Sequence, residues 1–189
     1  PVLAAESDIP ILGVVEPACA AAAQVTRNKK VGLIATAASV RSGAYERCLS
    51  ALDGDIQVYA KACPLFVPLV ENGRFRPGDT VIETVAAEYL VPLRATGIDT
   101  LILGCTHYPL LTEIIANIMG SGVTLVDSGA AAAQALRREL DGRGLLSQRA
   151  HGELTLYASD RPEDFGVLAG QFLRRPLEDA VQHVDIERY

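Results

Sequence analysis

Short apolar runs alternate with helix-like stretches along the whole chain of 189 residues. The runs are short, uniformly apolar and often rich in Val and Ile, which is typical of buried strands. We expect strands at Ile11–Val15, Val31–Ala35, Ile56–Ala60, Thr100–Leu103, Val123–Val126 and Leu154–Ala158. We expect helices at Pro17–Val25, Ser39–Leu52, Asp79–Ala95, Pro109–Met119, Ala130–Leu140 and Pro162–Leu173. The alternation predicts an α/β fold with a doubly wound, mainly parallel sheet that helices cover on both faces.

Charge and hydropathy exclude several classes of function. The chain has 17 basic and 23 acidic residues, a net charge of −6, and no basic run longer than a pair. Because binding to phosphate backbones needs clustered Lys and Arg, we expect no direct contact with nucleic acid. No run of 18 apolar residues and no signal-peptide pattern occurs, so we expect a cytoplasmic protein without membrane contact.

The four cysteines are Cys19, Cys48, Cys63 and Cys105, and they form no CxxC pair. A disulfide framework, a structural zinc or another metal site is therefore not expected. Cys19, Cys48 and Cys63 lie in apolar surroundings, where a thiol usually serves packing.

Cys105 differs from the other three because it follows the apolar strand Leu101–Leu103 and precedes Pro109, a residue suited to a helix start. A thiol before a helix N-terminus has its pKa lowered from about 8.5 by the partial positive charge there. His107 is close enough to assist proton transfer. The alternative is a buried thiol beside a hydrogen-bonded core histidine, but a Gly-Cys-Thr-His string at a strand end favours a functional role.

The string from Gly104 to Leu111 closely resembles the second catalytic-cysteine motif of bacterial glutamate racemases, within the aspartate/glutamate racemase superfamily. Other segments resemble the same family in the same order, namely Ile9–Ala18, Thr36–Tyr45, Ala62–Glu71 and Val126–Gly129. The resemblance covers nearly the whole chain. It implies flavodoxin-like racemase domains.

The family interconverts L- and D-glutamate without a cofactor, by a two-base mechanism, and supplies D-glutamate for peptidoglycan. Inverting Cα requires one group to take the proton from one face and a second group to deliver a proton to the other. By resemblance, Cys105 is one of the two thiols, His107 assists it, and Glu71 tunes or relays its proton. The alternative for Glu71 is a solvated loop acid.

The resemblance also implies residues that contact the substrate glutamate. These are Thr36, Ser39 and Thr106, where the family usually has Thr at the position of Ser39. A hydroxyl together with N–H groups at a helix N-terminus suits a carboxylate. Ser39 could instead be a helix N-cap.

Family members begin with a segment that carries an Asp-Ser-Gly loop and an Asn-Thr motif beside the first catalytic cysteine, and neither precedes Ile9 here. We therefore expect residues 1–8 to be a remnant of that segment, 9–121 a complete α/β domain and 122–189 part of a second domain. The composition also changes after about Gly120, which indicates a boundary near residues 120–122. One thiol cannot serve both faces of Cα, so we expect these residues alone to have little or no racemase activity.

Three alternatives stay open at this point. One is a cysteine hydrolase or transferase that uses Cys105 with His107 and Glu71. Another is a related racemase or isomerase acting on aspartate, maleate or hydantoins. The third is a non-catalytic fragment that binds a partner such as DNA gyrase, which some glutamate racemases are reported to bind. A homodimer is a separate partner to consider.

Overall fold

The computed structural model describes residues 6–149, 152–173, 175–177 and 181–188. It has two compact units, Pro1–Leu146 and Ser147–Tyr189. No helix of the described residues is both long enough and apolar enough to cross a bilayer.

The first unit is built on a four-stranded sheet with the order β2-β1-β3-β4. The strands are β1 (Lys30–Ala35), β2 (Gln57–Ala62), β3 (Thr100–Gly104) and β4 (Thr124–Asp127). All three pairings are parallel. This is the strand order of flavodoxin-like sheets, whose ligands bind where the chain order reverses, between β1 and β3.

Helices cover both faces of this sheet. The helices of the first unit are α1 (Val15–Val25), α2 (Ala37–Ser42), α3 (Ala44–Leu52), α4 (Phe66–Glu71), α5 (Thr80–Arg94), α6 (Thr112–Met119) and α7 (Ser128–Gly142). A 3-10 helix, Tyr108–Leu111, precedes α6. One buried cluster joins α1 and α3 to the sheet, and the other joins α4, α5 and α6 to its opposite face. The doubly wound parallel sheet expected from the sequence is confirmed.

Ile11–Val15 is not a strand, so this prediction is wrong. Residues 11–14 have no regular secondary structure, and Val15 begins α1. Ile11 and Leu12 are 49% and 44% exposed, which is unlike a buried strand. The other five expected strands all overlap strands of the structure.

The predicted helix Ser39–Leu52 is two helices, because Gly43 breaks it. Gly43 has φ 61°, in the left-handed region, where it ends α2 and begins α3. Glycine takes this conformation without the steric cost that a Cβ brings. The sequence analysis also missed α4, which contains Pro68.

The second unit contains a parallel pair of short strands, β5 (Leu156–Ala158) and β6 (Val181–His183). Its helix α8 spans Pro162–Leu173, as expected. The compact units divide after Leu146, whereas the sequence indicates a boundary near residues 120–122. The difference arises because β4 pairs with β3 inside the first sheet. The assignment of 9–121 as a complete domain and 122–189 as part of another stays a prediction.

Candidate functional site

Two neighbouring strands bring the sequence-predicted residues to one edge of the sheet. Ala35, the last residue of β1, pairs with Gly104, the last residue of β3. Thr36 and Cys105 therefore leave the sheet on adjacent strands, at the point where the strand order reverses.

The close packing of β3 against β1 requires a glycine at position 104. A Cβ on Gly104 would lie 3.0 Å from the carbonyl oxygen of Ile34 and 2.9 Å from Cδ1 of Leu33. The glycine thus permits close packing of β3 on β1 immediately before Cys105.

Cys105, His107 and Glu71 form a continuous line of polar contacts. The Cys105 sulfur lies 3.9 Å from Nδ1 of His107, and Nε2 of that imidazole lies 3.1 Å from Oε1 of Glu71. Glu71 is the last residue of α4, the helix that follows β2, and its carboxylate reaches the imidazole from the end of that helix. The His107 side chain is 18% exposed and that of Glu71 is 49% exposed, so the line runs from the half-buried thiol towards solvent.

The threonine between the thiol and the imidazole belongs to the same cluster. The Thr106 hydroxyl lies 3.2 Å from Nδ1 of His107. The His107 imidazole thus contacts both Cys105 and Glu71, the groups predicted to act with it. The Thr106 hydroxyl lies beside the same ring.

The pKa of the Cys105 thiol is raised, contrary to the sequence expectation that a helix N-terminus lowers it. Burial is the largest cause, and the Glu71 carboxylate adds to it. Hydrogen bonds from the backbone of His107 and from Thr106 act in the opposite direction but do not outweigh burial. The element that follows Cys105 is also a four-residue 3-10 helix rather than the start of a long α-helix, which weakens the dipole argument.

Thr36 and Ser39 lie at the start of α2, at the end of β1. Thr36 is the N-cap residue, and its Oγ1 accepts a hydrogen bond from the Ser39 amide at 3.3 Å. The two hydroxyl oxygens are 3.0 Å apart. The capping role that was the alternative for Ser39 belongs to Thr36, and both hydroxyls are half-buried at this edge.

Two supporting residues were missed by the sequence analysis. Tyr108 is fully buried, its amide donates to the Cys105 carbonyl, and its hydroxyl donates to the Cys63 carbonyl. Ser128 is 8% exposed and its hydroxyl donates to the Leu103 carbonyl at 2.8 Å. Both residues lie within segments that resemble the family, Tyr108 in Gly104–Leu111 and Ser128 in Val126–Gly129.

Cys19 and Cys63 are buried in the two core clusters, which agrees with a packing role, and Cys48 is half-buried against one of them. Burial raises the pKa of Cys63 to about 12. Among the described residues, no group of three His, Cys, Asp or Glu side chains is placed to hold a metal ion.

A cavity of about 640 Å³ lies elsewhere in the first unit, between residues 7–12 and the C-terminal part of α7. None of the predicted site residues lines it. This cavity is therefore separate from the cluster around Cys105.

Comparison with known proteins identifies the family of this chain. Residues 1–136 match the family model described as Asp/Glu/Hydantoin racemase. The chain belongs to this family. The match contains every residue that the sequence analysis assigned to the site.

Curated relatives are similar over most of the chain. A glutamate racemase of Desulforudis audaxviator is 43% identical over 182 residues, covering 92% of this chain and 66% of the relative. A glutamate racemase of Listeria monocytogenes is 39% identical over 180 residues, covering 95% of this chain and 66% of the relative. The chain thus spans slightly less than two thirds of the length of these relatives.

Solved structures of the same family have the same fold. A glutamate racemase of Bacillus anthracis superposes with a TM-score of 0.89 at 34% identity, over 98% of this chain and 68% of that one. A glutamate racemase of Francisella tularensis, solved in complex with D-glutamate, superposes with a TM-score of 0.86 at 31% identity, over 100% of this chain and 68% of that one.

Proposed function

We propose that this chain is the part of a glutamate racemase that carries one of its two catalytic thiols. The observation that carries the proposal is the contact line Cys105–His107–Glu71 at the end of β3, in a chain that belongs to the racemase family. The solved F. tularensis relative with D-glutamate supports glutamate as the substrate.

In the proposed reaction, the Cys105 thiolate takes the Cα proton of one glutamate enantiomer and becomes a thiol. The electron pair left on Cα then receives a proton from a second thiol, on the opposite face. That second thiol comes from outside the 189 residues, since no other cysteine of this chain matches the family motif. The reverse reaction exchanges the roles of the two sulfurs.

His107 and Glu71 assist proton transfer to and from the Cys105 sulfur in this proposal. The imidazole can accept the thiol proton, and the Glu71 carboxylate at 3.1 Å stabilises the resulting cation. A thiol whose pKa is raised by burial forms a stronger base when it ionises, which suits removal of a weakly acidic Cα proton.

Thr36, Ser39 and Thr106 are proposed to bind the polar groups of the substrate. Thr36 and Ser39 offer hydroxyls at a helix start, which suits a carboxylate, and Thr106 presents its hydroxyl beside the reacting sulfur. No cofactor takes part in this scheme. The proposed role of the product is to supply D-glutamate for peptidoglycan.

The proposal predicts that the purified 189-residue chain racemises glutamate slowly or not at all, since one thiol reaches one face of Cα. The test is to fuse the N-terminal third of the D. audaxviator relative to this chain and to follow the optical rotation of L- and D-glutamate. We expect racemisation by the fusion and none after Cys105→Ala.

Racemisation that survives Cys105→Ala would contradict the proposal, as would turnover of aspartate or a hydantoin in preference to glutamate. The cytoplasmic location expected from the sequence stays a prediction, and the homodimer and the gyrase contact stay alternatives.

A further inference from the structure

Tyr108 contacts both strand ends that carry the proposed catalytic groups. Its amide donates to the carbonyl of Cys105 at 3.2 Å, so it closes the turn that holds the thiol. Its hydroxyl donates to the carbonyl of Cys63 at 3.1 Å, directly after β2, which lies on the far side of β1 from β3. One buried residue therefore joins the Cys105 loop to the loop that leads into α4.

The Cys63 carbonyl lies in the loop that leads into α4. It also accepts a hydrogen bond from the Phe66 amide at 3.3 Å, so both of its lone pairs are used. The Cys63 amide in turn donates to the Ala35 carbonyl of β1 at 3.0 Å. Cys63, three residues before α4 begins, is thus fixed to β1 by its amide and to Tyr108 by its carbonyl.

The ring of Tyr108 adds a second contact with α4. It meets the Phe66 ring edge-on, with centroids 5.3 Å apart and an interplanar angle of 90°. Both rings are fully buried. Phe66 begins α4 and Glu71 ends it, about 7.5 Å further along a helix of six residues. A small change of tilt at Phe66 therefore displaces the Glu71 carboxylate from the imidazole.

We propose that Tyr108 is a positioning residue that holds Glu71 against His107 beside the Cys105 thiol. The inference rests on the proposed function, in which these three groups move one proton. Tyr108 itself does not contact the substrate in this proposal, because its side chain is fully buried behind the site.

The test is a double-mutant cycle on the 189-residue chain, with the alkylation rate of Cys105 by iodoacetamide as the readout. Mass spectrometry assigns the modification to Cys105 and separates it from the other three thiols. Glu71→Gln removes a negative charge that raises the thiol pKa, so alkylation at pH 8 should accelerate. We expect the rate to rise by about threefold.

Tyr108→Phe should accelerate the same reaction by releasing Glu71, and should add nothing in the Glu71→Gln background. An unchanged or slower rate in Tyr108→Phe would overturn the proposal. Equal acceleration in both backgrounds would also overturn it, because a general loosening of the core exposes the thiol independently of Glu71.

The matched control is Thr100→Val, which deletes another fully buried hydroxyl on β3, at the opposite end of the strand. It should lower Tm and leave Cys105 alkylation unchanged; an alkylation change as large as that of Tyr108→Phe would overturn the proposal. If Tyr108→Phe does not fold, Phe66→Leu tests the same link through the ring contact and should show the same dependence on Glu71.

The alkylation needs no turnover, so its result is independent of racemase activity. A fusion without racemase activity would count against the proposed function and leave the coupling between Tyr108 and Glu71 measurable.

Discussion

At the scale of single residues, Asp99 shows how the sheet edge opposite the site is held. Its buried carboxylate accepts hydrogen bonds from the Thr26 hydroxyl, the Arg27 and Asn28 amides and the Thr100 hydroxyl. Burial raises the pKa of Asp99, but these hydrogen bonds outweigh burial and hold it below the ordinary range. The carboxylate thus connects the loop before β1 to the start of β3.

We predict that Asp99→Asn lowers the free energy of unfolding by about 2 kcal/mol at pH 7, because an amide cannot accept all four hydrogen bonds. A carboxylate with a lowered folded-state pKa stabilises the fold above its unfolded pKa of about 3.9, and this stabilisation is lost as the pH falls through the folded value. Urea unfolding should show the difference between wild type and variant at pH 6 and a smaller one below about pH 4. Asp55→Asn, at a 79% exposed side chain, is the control and should change little; an equal loss in both variants would contradict the prediction.

The pH dependence of thiol alkylation tests the raised pKa of Cys105. Because burial keeps the thiol protonated, its alkylation rate should be lower than that of a free thiol at pH 7 and should still be rising at pH 9. Cys63, whose pKa is about 12, should not react in the folded chain. A rate that levels off below pH 8 would restore the sequence expectation of an activated thiolate.

The residues Cys105, His107 and Glu71 were predicted as one group from the sequence, and the structure brings them into contact. The direction of the Cys105 pKa shift was not predictable, because it depends on how deeply neighbouring elements bury the sulfur. The local sequence predicts the turn at Cys105 and the helix start that follows it. The burial of the sulfur depends on residues that are distant in the chain.

At the scale of elements, apolar runs identified the four strands of the first sheet, since each is bounded by polar or small residues. Ile11–Val15 has the same composition and is not a strand, because a strand also needs neighbours to hydrogen-bond to. The break at Gly43 was missed because the apolar periodicity continues through it, while a left-handed residue depends on local turn geometry.

Gly43 provides the prediction at this scale. Gly43→Ala should lower the free energy of unfolding by about 1 kcal/mol, because a Cβ at φ 61° is strained. Gly54→Ala is the matched control, since Gly54 has open space around its Cα and no positive φ; it should be neutral or slightly stabilising. Chemical denaturation measures both, and equal effects would show that the left-handed hinge between α2 and α3 carries no cost.

At the scale of the whole molecule, the doubly wound fold could be predicted from the alternation of elements, whereas the domain boundary near residues 120–122 stays a prediction. The expected boundary near residues 120–122 rests on a change in composition. In the structure this segment is tied to its surroundings, because Gly120 bonds to Ala116, Val123 bonds to Gly120, and the Arg27 guanidinium donates to the Gly122 carbonyl. β4 belongs to the first unit because it pairs with β3. Such long-range strand pairing cannot be predicted from composition.

Limited proteolysis distinguishes the two boundaries. Residues 145–149 have no regular secondary structure, Leu145 is 63% exposed, and the Arg149 amide donates to the nearby Ser147 hydroxyl. Because proteases cut exposed backbone with few hydrogen bonds, the first proteinase K cuts should fall between Leu145 and Arg149 and leave a resistant fragment of the first unit. The unfolded chain in guanidinium chloride, diluted into protease, is the control and should be cut throughout. An early cut within 120–122, read by intact-mass spectrometry, would favour the boundary expected from composition and show that β4 separates readily from β3.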